Sequence, residues 1–217
     1  MYLLRAILPD RPGSLGAVAT ALGAAQADIA SVEIVEKAAG LVIDDFVVDL
    51  PEGVRPDVLV SACATLADVE VMWVSFYPQN RTITADVDVL EAMLAQPDAA
   101  SDVLADAAPA AFHCTWAAIV DASSGGVVHR TAMAPADGLP APLLGDLNAA
   151  HTVDLPAGFC EGWGEQIAAV VPCPPGRALV LGRPGPEFRA SELARLRHLA
   201  MLAADRESLA AIDPVLS

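Results

Sequence analysis

The feature that most narrows the possible folds is a pair of strand-like runs, Ile29 to Glu36 and Leu41 to Leu50, parted only by a turn at Ala38, Ala39 and Gly40. Runs so close in sequence pair as an antiparallel hairpin. In the first, Val32 and Ile34 point one way and Ser31 and Glu33 the other. In the second, Phe46, Val48 and Leu50 share a face while Asp45 and Asp49 take the opposite one. A helical pattern lies on each side of the hairpin. Leu15, Val18, Ala19 and Leu22 fall at i, i+3, i+4 and i+7, one buried stripe, with Gly23 as the stop. Arg55 to Leu66 carries Leu59, Cys63 and Leu66 on one side. Apolar runs at Tyr2 to Leu8 and Val69 to Tyr77 complete the order strand, helix, strand, strand, helix, strand. Two right-handed crossovers in that order predict a four-stranded antiparallel sheet with both helices on one face, the ferredoxin-like arrangement. Its other face is left needing a cover.

A chain of 217 residues has room for more than this unit, and its 54% hydrophobic content with a mean hydropathy of +0.47 describes a globular protein with ample core material. Pro78 to Arg81 reads as a linker. Beyond it, Asp86 to Ala95 and Ser101 to Ala107 read as short helices, and Phe112 to Asp121 with Val127 to Met133 as a hairpin turning at Ser123 to Gly126. Pro142 to Ala150 has helical character. Gln166 to Val171 and Ala178 to Leu181 are short apolar strands, and a last helix runs from Ser191, its expected N-cap, to about Leu209. The second half is thus a second α+β domain around a central antiparallel sheet, giving domains over 1–78 and 79–217.

With 12 basic residues against 28 acidic ones the net charge is -16, and Lys37 is the only lysine. The summed field repels nucleic acid and anionic lipid, so neither is an expected partner. Every long apolar stretch is interrupted, Met1 to Leu8 by Arg5 and Ile167 to Leu181 by Pro172, Pro174 and Pro175. The expectation is a cytoplasmic protein without a membrane span. Cys63, Cys114, Cys160 and Cys173 form no C-x-x-C pair and match no zinc spacing, so they are expected as buried free thiols, with no metal and no cofactor. His113, His129 and His151 likewise lack ligand spacing.

The segment DRPGSLG, Asp10 to Gly16, lies between the first strand and the first helix and is followed by Ala27, Asp28 and Ile29. Motif and element order together resemble the ACT domain, a regulatory module that binds amino acids and related metabolites. The resemblance implies a homodimer whose sheets join side by side. It also implies a small-molecule ligand at the seam, held by Asp10, Pro12, Gly13, Ser14, Leu15, Asp28 and Ile29. Elementary physics points the same way, because a helix N-terminus leaves amides unpaired and carries partial positive charge, an environment suited to a carboxylate. Asp28 is the expected partner of the ligand's ammonium group, on the expectation that the second strand starts near the start of the first helix; many relatives carry asparagine there.

The closing stretch ALVLGRPGPEFRASELARLRHLAMLA, Ala178 to Ala203, resembles the end of a GAF domain, which implies a sheet with a small-molecule pocket or a packing role. AGFCEGWGEQ, Ala157 to Gln166, offers Phe159, Cys160 and Trp163 as pocket lining, with Glu161 or Glu165 as a polar anchor. The favoured expectation is a regulatory sensor and not an enzyme. Two alternatives stand beside it: a cysteine-dependent reductase of free methionine sulfoxide, as some GAF-like proteins are, and a structural dimerisation module without a ligand.

Overall fold

Among the described residues, two antiparallel sheets of four and five strands organise the fold. The computed structural model describes residues 1–77, 85–160 and 164–212. Two compact units are present, Met1–Ile83 and Thr84–Ser217. The expected linker at Pro78 to Arg81 lies outside the described residues.

The first unit runs β1 (Tyr2–Pro9), α1 (Ser14–Ala24), β2 (Asp28–Ala38), β3 (Leu41–Asp49), α2 (Asp57–Cys63) and β4 (Glu70–Phe76). The sheet order is β2-β3-β1-β4, every neighbour antiparallel. Period-2 alternation sends Leu4, Ala6, Leu8, Val42, Phe46 and Val48 to one face, where they pack with Val18 and Leu22 of α1 and Leu59 and Cys63 of α2. Full burial of each large side chain there contributes about 1.5–3 kcal/mol. The predicted stripe on α1 is shorter than expected: Leu15, in the first turn, is 44% exposed. The second helix is shorter too, and at its start Pro56, the N-cap, disfavours a helical conformation in Arg55 before it.

Asp45 and Asp49 share the opposite face as expected, but their environments differ. Asp49 is exposed, but Asp45 is buried, because Arg5 of β1 stands directly opposite it in the register. Nε of Arg5 donates to Oδ1 and Nη2 to Oδ2, each at 2.7 Å, a fork-on-fork pair with 1% and 4% side-chain exposure. Asp44 points to the helix-bearing face beside Ala6. It is also buried, and its Oδ1 has no hydrogen-bond partner among the described residues.

Burial raises the Asp44 pKa above its ordinary 3.8, an effect that Lys37 partly offsets. A carboxyl with a raised folded-state pKa binds more protons folded than unfolded, so its linkage removes stability as pH rises from the unfolded value through the folded one. Asp44→Asn is therefore expected to be more stable than wild type at pH 7, with the gap narrowing towards pH 4. Urea melts of both proteins across that range check this, and a gap that widens on acidification contradicts it.

The second unit runs α3 (Ala85–Ala95), a 3-10 turn at Pro97–Ala99, α4 (Ala100–Ala111), β5 (Trp116–Asp121), β6 (Val127–Arg130), α5 (Ala141–Leu144), β7 (His151–Asp154), β8 (Ile167–Cys173), β9 (Arg177–Arg183) and α6 (Ala190–Ile212). The sheet order is β6-β5-β9-β8-β7, antiparallel throughout. Ile119, Val171, Leu179 and Leu181 pack against Leu104 and Ala108 of α4 and Leu196, Leu199 and Ala203 of α6. The other face carries Trp116, Val120, Val170 and Val180 under Leu139, Leu144, Leu155 and Cys160. Burial on both sides explains why β5, β8 and β9 read as continuous apolar runs.

Several expectations shift here. The helix predicted over Pro142 to Ala150 is a single turn, and β7, unforeseen, follows it. β5 starts at Trp116 and not Phe112, since Phe112 caps α4 and His113 adopts a left-handed conformation with φ 51°. Ser191 lies inside α6. The reach-back at the start of α6 is made by Glu192, whose Oε2 accepts the amide of Arg189 at 2.8 Å. The Ser123 to Gly126 turn is as predicted. Oδ1 of Asp121 accepts the Ser123 and Ser124 hydroxyls and amides, which lowers its pKa to about 2.

Arg183 ties the end of the last strand to its surroundings. Its side chain is 1% exposed, and it donates to the carbonyls of Phe112, Pro186 and Glu187. It also forms a two-pronged pair with Glu192 at 3.0 and 3.1 Å, and its guanidinium carbon lies 3.8 Å from the centre of the Phe188 ring.

Candidate functional site

Where β1 ends, the chain must turn back into α1, and two contacts anchor that turn to the hairpin of β2 and β3. The amide of Asp10 donates to the Gly40 carbonyl at 2.8 Å, and Nζ of Lys37 donates to Oδ1 of Asp10 at 2.9 Å. Asp10 is thus engaged by Lys37. Gly13 is the N-cap of α1, with φ 94°, a conformation that costs a residue bearing Cβ considerably more than glycine. No side chain among the described residues caps this helix. The Ser14 amide bonds the Arg11 carbonyl at 3.2 Å and the Ala17 amide bonds that of Gly13 at 2.9 Å. The amides of Leu15 and Gly16 lie within the first turn, where a helix offers no acceptor of its own.

Beside this turn is a cavity of about 390 Å³ lined by Pro9, Arg11, Pro12, Gly13, Ser14 and Ala17 from the loop and helix, and by Leu66, Ala67 and Val69 from the approach to β4. Of the expected site residues, Pro12, Gly13 and Ser14 line it. Arg11, which the sequence reading passed over inside the motif, lines it as well and reaches Asp68 at 3.5 Å at the surface. Its position between Asp10 and Pro12 was the available signal.

Asp28 and Ile29 lie elsewhere. Ile29 is level with Val48 and Tyr2, whereas the loop follows Pro9, which is level with Leu41 and Ala38. Seven residues of strand separate the two levels, roughly 23 Å. Within one chain Asp28 therefore stands at the opposite end of the sheet from Gly13, which corrects the expectation that the start of the second strand adjoins the start of the first helix. The reason is topological: α1 runs the length of the sheet before β2 begins.

The second unit holds a cavity of about 530 Å³ lined by Met133, Pro135, Ala136, Asp137, Gly138, Pro140, Phe159 and Cys160. Glu161, Gly162 and Trp163 lie outside the described residues, and Glu165 is exposed. All four cysteines are free and buried, and burial pushes the thiols of Cys63, Cys160 and Cys173 up in pKa. Sγ of Cys173 lies 3.4 Å from the Ser101 hydroxyl. His129 contacts Asp106 at 2.8 Å, and His151 contacts the Ala149 carbonyl. Among the described residues no group of three or more histidine, cysteine or acidic side chains is arranged to hold a metal, and no helix is long and apolar enough to cross a membrane.

No family model matches the chain, and no curated protein matches it. Among solved structures, the crystal structure of an unknown protein from Galdieria sulphuraria is similar at 12% identity, covering 97% of this chain and 92% of that one, with a TM-score of 0.31. At that score the likeness carries no argument about fold or function.

Proposed function

We propose that the chain is a regulatory small-molecule sensor. Its first unit is an ACT-type module that binds an amino acid or similar zwitterion, and its second is a GAF-like unit that receives the signal or relays it to a partner protein. One observation carries the reading: the cavity of about 390 Å³ at the N-terminus of α1, where Gly13 exposes backbone and Arg11 adds a cation. The ligand's carboxylate binds there, against the first-turn amides and the Arg11 guanidinium.

Its ammonium group needs a second copy. In a homodimer joined antiparallel along β2, the edge strand of its sheet, the start of one β2 adjoins the end of the other. Asp28 of the second copy then comes level with Ala38, the level of the β1–α1 loop. The exposed Val32 and Ile34 on β2 favour such a seam. The central sheet of the second unit, with helices on one side and a cavity on the other, supports the GAF-like reading. Buried thiols with raised pKa values disfavour thiolate chemistry and so weigh against the reductase alternative.

A thermal-shift screen of the full chain against the twenty amino acids tests the proposal, because a ligand that binds the native state raises its stability. At least one is expected to raise the melting temperature. Arg11→Ala and Asp28→Ala are each expected to weaken its binding about tenfold or more, the effect of losing a charged hydrogen bond. Gly13 is the poorer probe, since any side chain there is strained. No shift with any amino acid rejects the ligand class. Unchanged affinity in both variants moves the site, and the cavity beside Phe159 and Cys160 becomes the leading place to look.

A further inference from the structure

We propose that the ligand of the first unit carries an aliphatic side chain, received by the wall of the cavity that the approach to β4 supplies. This deepens the sensor reading and rests on it. In the sheet β1 lies between β3 and β4, so the loop that leaves it has the β2–β3 hairpin on one side and the approach to β4 on the other. The hairpin side is polar, for there Lys37 holds Asp10 at 2.9 Å. On the β4 side stand Leu66, Ala67 and Val69, which line the cavity together with Pro12 and Ala17. None of these five side chains can donate or accept a hydrogen bond. Leu66 and Val69 are half-buried against the core of the sheet, which supports the wall from behind.

The polar groups around the cavity are already committed. Arg11, the single charged residue of the lining, meets Asp68 at 3.5 Å, and in the sensor reading its remaining donors take the ligand's carboxylate. The carbonyls of Pro9, Arg11 and Gly13 accept the amides of Arg11, Ser14 and Ala17. Ser14, the one hydroxyl of the lining, stands at the helix end, where that carboxylate binds. A carboxamide or charged side chain set against Leu66 and Val69 therefore loses hydration and gains no partner. A branched hydrocarbon there only removes apolar surface from water. Each added methylene in such a site is worth about tenfold or more in affinity.

Calorimetry of the full chain with leucine, alanine and asparagine tests this, because alanine reports size and asparagine, close to leucine in shape, reports polarity. Leucine is expected to bind about tenfold or more tighter than either. Ala17→Leu, at an exposed position of α1 where leucine suits a helix, fills the space for the side chain. It is expected to weaken leucine about tenfold or more and to leave alanine nearly unchanged. If leucine and asparagine bind alike while Arg11→Ala weakens both, the aliphatic assignment is overturned and the sensor reading stands. Equal losses for leucine and alanine in Ala17→Leu overturn the assignment in the same way. Failure of every amino acid to bind removes the sensor reading, and this assignment with it.

Discussion

Arg183→Ala is expected to leave the second unit unfolded at ordinary temperature. The substitution removes the guanidinium that pairs with the Glu192 carboxylate, buried with 8% side-chain exposure, and takes the donor from three carbonyls, those of Phe112, Pro186 and Glu187. Breaking one side of a buried ion pair costs about 3–5 kcal/mol. Each buried polar group left unmatched adds about 1–3 kcal/mol. The total rivals the 5–15 kcal/mol that separates a typical native state from its unfolded chain. Arg183→Lys keeps the charge but not the fork, and is expected to fold with a lower melting temperature than wild type. Amide exchange resolved by peptide checks both, and it should show loss of protection in β5, β8 and β9 for the alanine variant while β1 and β3 stay protected. A native melting curve for Arg183→Ala would mean that the contacts around it contribute little.

The second large effect is at Arg5 and Asp45. Asp45→Ala removes the carboxylate that pairs with a guanidinium only 1% exposed, and a loss of about 3–5 kcal/mol is expected in the first unit. The double variant Arg5→Met with Asp45→Leu is expected to recover most of that loss, because an apolar pair of similar volume carries no desolvation penalty. Chemical denaturation of wild type, single and double variants forms the required cycle. Additive losses in the double variant would show that the two side chains act separately.

Both knots were invisible in the linear chain. Arg5 looked like an interruption in an apolar strand, and Asp45 like the polar phase of an alternating one. Their meeting depends on the pairing of β1 with β3 across 40 positions. Arg183 gathers partners from Phe112 to Glu192, and only the return of β9 beside β5 brings that set together.

The first unit was otherwise legible residue by residue, because its signals are local. Period-2 runs, a 3.6-period stripe and a short turn each specify an element without reference to distant neighbours, and six such elements in that order leave few topologies. β7 was not legible, since four residues of alternating pattern acquire meaning only when β8 offers them a ladder. The candidate site divides along the same line. Pro12, Gly13 and Ser14 could be read from the chain because a strand-to-helix turn is a local object. The distance of Asp28 from that turn could not, because it is set by the length of α1 and the register of β2 on β3, which are properties of the packed sheet.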